Sequence, residues 1–330
     1  MKKLAVIILN WNGRKLLEEF IPAASEYTRG PEVDLIVADN GSTDDSVYWL
    51  RENHPEVKVI ELGENYGFAE GYNRVISQTR YPFTLLLNSD VLVTEGWWQP
   101  LLRFMEEHPE VGAAQPKIRS YRQREMFEYA GGAGGYLDRL GYPYCRGRLF
   151  DSIEKDEGQY DDGVADVCWA SGAALIVRTD VYLQLGGLDP KFFAHMEEID
   201  LCCRMHAAGY RVCALSDSAV YHVGGASLNQ GNPKKTYLNF RNNLLLLHKN
   251  LPVSRGRKIL FLRRLCDTLA FLMFIAKLDF ANAKAVLKAH HDFRKMRKDY
   301  TDHPAADTLS TLPGASRSII IDRYLLRKKK

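Results

Sequence analysis

Phe83-Thr84-Leu85-Leu86-Leu87-Asn88-Ser89-Asp90 is an apolar run that stops at a short polar turn ending in a carboxylate. Strands that read as a continuous apolar run are buried on both faces, as in mostly parallel sheets, and such sheets take their ligands beyond the carboxyl ends of their strands. Asp90 stands at such an end, where a carboxylate suits a metal and phosphate site. The competing reading is an Asx-type turn in which Asn88, Ser89 and Asp90 cap a helix beginning near Thr94.

Outward from this segment the pattern alternates from the first residues. Apolar strands are expected at 4–9, 33–38, 57–62 and 83–87, and helices at 14–27, 44–53, 68–79 and 96–107, with Ser42 or Thr43 capping the second helix. That alternation predicts right-handed βαβ units: an α/β, Rossmann-like, mostly parallel sheet flanked by helices. Polar clusters at 10–13, 39–45 and 88–90 should then share one edge. The stretch 120–166 is rich in Gly, Tyr and Arg and shows no period, as expected of a binding loop or lid. Order returns with a strand at 173–178, helices at 180–185 and 199–208, and short strands at 211–215 and 219–222. Beyond Gly231 the chain reads as helical at 235–249, 257–277 and 281–300. The division expected is an α/β part, 1–233, which by the resemblance described below would bind a nucleotide sugar and carry the catalysis, and a helical, basic C-terminal extension, 234–330, whose end at Arg327–Lys330 frays.

With 330 residues, 46% of them apolar, the chain can bury a large core. The net charge of +3 hides an asymmetry: from Arg255 onward 18 Lys and Arg face 7 Asp and Glu, a net of +11. Such a block suits an anionic surface such as membrane headgroups, or else a solvated helix face. The six cysteines form no CxxC pair and no framework spacing, which favours a reduced, cytoplasmic chain. Lys2-Lys3 followed by six apolar residues and then Asn10 reads as a first strand, not a signal peptide. The best candidate span, Leu269 to Ala276, is bracketed by Asp267 and Lys277, so no transmembrane helix is expected.

Four groups of residues carry chemistry. Asp39, at the head of Asp39-Asn40-Gly41-Ser42-Thr43-Asp44-Asp45, could accept from the ring N3 of uracil or thymine, or could serve a plain turn and helix cap. Asn65 to Asn73 opens the third helix with glycines and amides that suit a nearby anion, without a Walker ending or a GxGxxG. In Met196-Glu197-Glu198-Ile199-Asp200, Glu197 and Asp200 share a helix face while Glu198 points roughly 100° away. One carboxylate could take a proton from a hydroxyl while another orients Arg204, or all three could simply favour the helix dipole. His222 could ligate a divalent metal through a neutral ring nitrogen, or be structural.

The order of these segments resembles the motif series of family 2 glycosyltransferases, in the rhamnosyltransferase-like branch. The matching stretches are Ile7 to Gly13, Val37 to Asp44, Asn65 to Asn73, Leu87 to Asp90, Gly172 to Arg178, Gly186 to Asp189, Glu197 to Cys202 and Gly209-Tyr210. The resemblance runs from about Leu4 to Pro252. It implies a GT-A fold, a nucleotide-diphosphate sugar donor, a divalent cofactor (Mg2+ or Mn2+) and inversion at the anomeric carbon. By motif, Asp39 contacts the nucleobase, Asn10 and Asn12 line its pocket, and Asn65 and Asn73 border the nucleotide. Asp90 is the retained acid of the DXD signature, and Asn88 replaces the first acid, so one negative charge fewer faces the metal. His222 matches a late metal-ligating histidine. Glu198 matches the catalytic base, with Glu197 second and Asp200 beside them.

Trp169 and Arg204 are expected contacts for acceptor or sugar, with plain core as the alternative for Trp169. The expected acceptor is a glycan or lipid-linked hydroxyl in surface polysaccharide synthesis, and nucleic acid is not an expected partner. The C-terminal helices would rest on the inner face of the cytoplasmic membrane, on a second copy in a homodimer, or on the catalytic part. No QxxRW signature of a processive synthase is present. A sugar-phosphate nucleotidyltransferase and a non-catalytic membrane-associated scaffold are the competing functions.

Overall fold

The computed structural model describes residues 2–224, 231–315, 317–320 and 322. Strands β1 (Leu4–Asn10), β2 (Val33–Asp39), β3 (Lys58–Glu61) and β4 (Phe83–Leu87) are parallel and lie in the order β4-β1-β2-β3. Helices α1 (Arg14–Tyr27), α2 (Ser46–Asn53) and α3 (Gly67–Gln78) connect them. Along β1, Leu4, Val6 and Ile8 join one core with Leu17 and Ile21 of α1, whereas Ala5 and Ile7 join the other with Tyr72, Val75 and Ile76 of α3. Both faces are covered, which is why these strands read as unbroken apolar runs.

After β4 come β5 (Val91–Val93), α4 (Gln99–Glu107), β6 (Val111–Ser120), β7 (Gly135–Leu137), β8 (Pro143–Cys145), β9 (Arg148–Leu149), β10 (Ser152–Ile153), β11 (Val164–Asp166) and β12 (Ala174–Arg178). Then follow α5 (Thr179–Gln184), α6 (Glu197–Ala207), β13 (Arg211–His222), α7 (Pro233–Asn250), α8 (Val253–Ala276) and α9 (Phe280–Met296). The main sheet continues from β4 through β12, β6 and β13 to β11. β12 is antiparallel to both β4 and β6, and β13 is parallel to β6, so β4, β6 and β13 all run with β1 to β3. One edge therefore gathers the carboxyl ends of six strands and the start of β12.

Several local expectations change. Asn88-Ser89-Asp90 caps no helix: residues 91–93 form β5, which pairs antiparallel with the end of β13, Val91 opposite His222. α4 starts only at Gln99. The two strands expected at 211–215 and 219–222 are one strand interrupted by an irregularity between Leu215 and Ala219. α2 starts at Ser46, not 44, and neither Ser42 nor Thr43 caps it; Asp44 Oδ1 accepts from the Ser46 backbone N–H at 3.2 Å. The stretch 120–166 holds a small antiparallel sheet, β10-β9-β8-β7, whose two- and three-residue strands are too short to display a period of two.

α7 is built into the α/β body. Arg241 and Asn242 bond the 191–195 loop, Asn243 Nδ2 donates to Gly141 O at 2.6 Å, and Lys249 and Asn250 reach Asp200. All six cysteines are free thiols. Among the described residues no helix is long and apolar enough to cross a membrane. The end expected to fray, Arg327–Lys330, lies outside the described residues.

Candidate active site

The edge begins with Asn10 and Asp39, paired in register at the ends of β1 and β2. Asn10 Nδ2 donates to Asp39 Oδ1 at 3.0 Å and to Ser42 Oγ at 3.1 Å, and Asp39 Oδ2 accepts from the Ser42 N–H at 2.9 Å. Asn12, with φ of +50°, places its Oδ1 to accept from the N–H groups of Thr43 and Asp44. Asn40 ties this loop to the start of α3: its Nδ2 donates to Asn65 Oδ1 at 3.1 Å, and its Oδ1 accepts from the Tyr66 N–H at 3.0 Å. Gly41 lies at φ +74° with the backbone of Glu64 so close that any Cβ would collide, so the two loops form one wall. The Asn10 Oδ1 atom is buried and has no partner within the protein.

Asp90 follows β4, which lies two strands across from β2, about 10 Å by strand spacing. His222, the last residue of β13, approaches Asp90 Oδ1 with Nε2 at 3.1 Å, and Asn88 Nδ2 stands 3.5 Å from the same nitrogen. On its other side His222 Nδ1 faces Glu128 Oε1 at 3.6 Å. Glu128 is buried and its other oxygen accepts from the Ala130 N–H at 2.6 Å. Burial alone would lower the imidazole pKa, but the Asp90 and Glu128 carboxylates outweigh it and hold it up at about 10. Sequence reasoning missed Glu128. It lies in the stretch without a period, and no spacing relates it to His222, 94 positions away.

The acidic cluster opens α6 and lies beside the residues that lead into β12. The Asn88 N–H donates to Ala173 O at 3.0 Å, and a Cβ on the preceding Gly172 would stand 3.7 Å from the Glu198 Cβ. Glu198 therefore borders the same edge. Oε2 of Glu197 and Oε2 of Glu198 are both buried without a hydrogen-bond partner. Burial raises both carboxyl pKa values, that of Glu197 further because the Glu198 charge adds to it, while backbone N–H groups at the helix start pull the other way. Met196, His195 and Phe193, just before them, all have positive φ. Asn242 Nδ2 holds this loop by donating to the carbonyls of Phe192, Ala194 and His195 at 2.9, 2.8 and 2.7 Å. Burial, and then the Lys235 charge, lower the His195 pKa to about 4, so its ring is neutral near pH 7.

Other residues singled out from the sequence are committed elsewhere. Asp200 is fully buried and accepts from Arg204 Nε at 2.9 Å, Lys249 Nζ at 2.8 Å and Asn250 Nδ2 at 2.8 Å. Arg204, expected to meet sugar or acceptor, also donates from Nη1 to Leu185 O at 2.5 Å and from Nη2 to Gly187 O at 2.7 Å. Asn73, expected to border the nucleotide, donates to Leu188 O at 2.8 Å and accepts from the Tyr182 hydroxyl at 2.6 Å, pinning α3 to the turn after α5. Trp169 is 3% exposed, donates to Tyr136 O at 3.0 Å and packs flat on Gly135, so it is core and not a sugar platform.

Residues 5–154 match the model of the family described as glycosyl transferase family 2. The N-acetylglucosaminyl-diphospho-decaprenol L-rhamnosyltransferase of Mycobacterium tuberculosis (strain ATCC 25618 / H37Rv) is 28% identical over 238 residues, covering 66% of this chain and 75% of that protein. Rhamnosyltransferase WbbL of Escherichia coli (strain K12) is 38% identical over 157 residues, 46% of this chain and 58% of that one. Among solved structures, S. aureus TarS 1-349 in complex with UDP-GlcNAc superposes with a TM-score of 0.59 at 18% identity, covering 88% of this chain and 80% of that one. That likeness bears on the fold, which is GT-A. The matched segment, 5–154, and these relatives make the chain similar to the family 2 glycosyltransferases, on their rhamnosyltransferase-like side.

Proposed function

We propose that this glycosyltransferase moves one sugar, a deoxyhexose such as rhamnose, from a nucleotide-diphosphate donor to a hydroxyl of a glycan or lipid-linked acceptor, with inversion, in surface polysaccharide synthesis. The observation that carries the reading is the pair of buried, unpartnered carboxylate oxygens on Glu197 and Glu198 beside the strand edge that holds Asp39, Asn88 and Asp90. A carboxylate with a raised pKa and no internal partner is suited to take a proton from a hydroxyl.

Asp39, Asn10 and the Asn12–Asn65 wall would receive the nucleoside. Once a cation displaced the ring proton that Asp90 and Glu128 favour on His222, Asp90 and His222, with the Asn88 amide, would offer one carboxylate, one imidazole and one amide oxygen. No group of three or more His, Cys, Asp or Glu suited to a metal occurs among the described residues, so the donor set fits a cation completed by phosphate oxygens better than a closed cage. A bound Mg2+ or Mn2+ there would neutralise charge developing on the diphosphate. Glu198 takes the acceptor proton as the acceptor oxygen bonds to the anomeric carbon and the bond to the diphosphate oxygen breaks. Glu197, more buried, shares the charge of the pair and keeps water out. Asp200 positions α6 through Arg204, Lys249 and Asn250. Glu128 fixes the ring plane of His222 as an outer partner.

The test is nucleotide release from uridine-, thymidine- and guanosine-diphosphate sugars, deoxyhexoses included, with Mn2+, Mg2+ or EDTA and a hydroxyl acceptor. Acceptor-stimulated release with transfer of the sugar and an inverted anomeric centre by NMR is expected. Release of pyrophosphate from a sugar phosphate and a nucleoside triphosphate would instead identify a nucleotidyltransferase.

A further inference from the structure

α8 buries a charged pair beside Ile259 and Leu260 and leaves most of its large apolar side chains exposed. Its buried positions include Arg263 and Asp267, paired at 3.6 Å, with His290 Nε2 3.0 Å from Asp267 and the Arg263 guanidinium 3.7 Å over the Tyr142 ring. Its solvent side carries Phe261, Leu262, Leu265, Leu269, Leu272 and Met273, each between 44% and 63% exposed. At ~100° per residue these six lie within an arc of about 120°. Leu278 and Phe280, 75% and 61% exposed, carry the surface round the corner into α9. Arg257, Lys258, Arg264 and Lys277 border it, all exposed and none ion-paired among the described residues. A helix packed only on its own chain would bury the leucines and expose the charges.

We propose that α8 lies flat on an anionic lipid bilayer, its apolar arc at the boundary between headgroups and acyl chains and its four basic residues on the headgroups. The helix is about 36 Å long but not apolar enough to cross, so it rests on the surface. A second copy is disfavoured as the cover because the segment from Arg255 onward carries +11 and would meet its own charge. The inner face connects this surface to the site. Arg263 Nη1 donates to Leu140 O at 3.3 Å in the β7–β8 turn, and the small sheet reaches Glu128 through the bond from the Phe127 N–H to Glu154 O at 3.1 Å. Docking thus fixes the small sheet, and with it the Glu128 side of the site, relative to the bilayer.

Binding is read without donor or acceptor, so its outcome is separate from that of the transfer assay. Full-length protein is co-sedimented with vesicles of equal parts phosphatidylcholine and phosphatidylglycerol, and with vesicles of phosphatidylcholine alone. Binding to the mixed vesicles is expected to weaken with added salt and to fall about tenfold or more in the triple variant Leu265→Glu, Leu269→Glu, Leu272→Glu. Arg257→Glu with Lys258→Glu leaves the apolar arc intact and should weaken binding to the mixed vesicles only. Both variants replace exposed side chains, so the melting temperature stays near that of the parent. The proposal is overturned if the parent does not bind, if the triple variant binds as well as the parent, or if sedimentation equilibrium without lipid shows a dimer that the triple substitution dissolves.

Discussion

Glu198 Oε2 is buried, lacks a partner and sits on the first turn of α6, where backbone N–H groups favour the ionised form and burial opposes it. Replacing Glu198 with Gln keeps the shape and removes the proposed base. Turnover should fall about 10²–10⁴-fold with donor Kd within roughly twofold, read by single-turnover transfer and calorimetry. Full activity in that variant would exclude Glu198 as base. Glu197 allows a signed pH prediction. A carboxyl whose folded pKa is raised adds stability that is complete below its unfolded pKa and is lost as pH rises through the folded one. Glu197→Gln should therefore raise the melting temperature by on the order of 2–4 °C at about pH 8, with little change at about pH 4. A destabilised variant at both pH values would remove the buried charge from consideration. At this scale the sequence marked Asp39, Asp90, the Glu197-Glu198 pair and His222, because each ends a strand or opens a helix. Asn73, Arg204 and Trp169 could not be read the same way. An amide, a guanidinium or an indole does not announce that backbone carbonyls will take its bonds.

Among the elements, the loop from Phe192 to Met196 is the most constrained. Three of its five residues, none a glycine, have positive φ, a conformation that persists only when neighbours over-determine it. Asn242 is fully buried and supplies three of those constraints from α7. Asn242→Ala leaves carbonyls without donors and should cost about 2–3 kcal/mol in urea unfolding, while kcat falls more than donor affinity because Glu197 and Glu198 hang from this loop. Unchanged kcat would show that the loop holds its shape without the amide. Elements with long runs were legible: α1 falls at 14–27 and β4 at 83–87, as expected. β5 and the strands of the small sheet were not, since two or three residues carry no period, and the irregularity after Leu215 made one strand read as two.

For the whole molecule, the division at 233/234 separates sequence patterns more than it separates stable bodies. Lys249 and Asn250 complete the Asp200 network, and Arg241 and Asn242 hold the loop ahead of α6. Calorimetry of the intact chain should therefore give one transition, and a chain ending at 233 should not fold cooperatively, as judged by near-ultraviolet circular dichroism. Two separable transitions would restore an independent extension. The alternation of strands and helices predicted the parallel half of the sheet. The insertion of β12 between β4 and β6 was not predictable, because it depends on contacts between segments far apart in the chain. That arrangement also bears on the order of assembly. β6 finds its flanking strands only about 60 and 100 residues later along the chain, and long-range pairings of this kind close slowly. His222 rides on the later of the two. During synthesis the half that resembles a nucleotide-binding fold can form first, but the contact between His222 and Asp90 is made only when β13 docks. Pulse-labelled hydrogen exchange should find the β13 amides protected last.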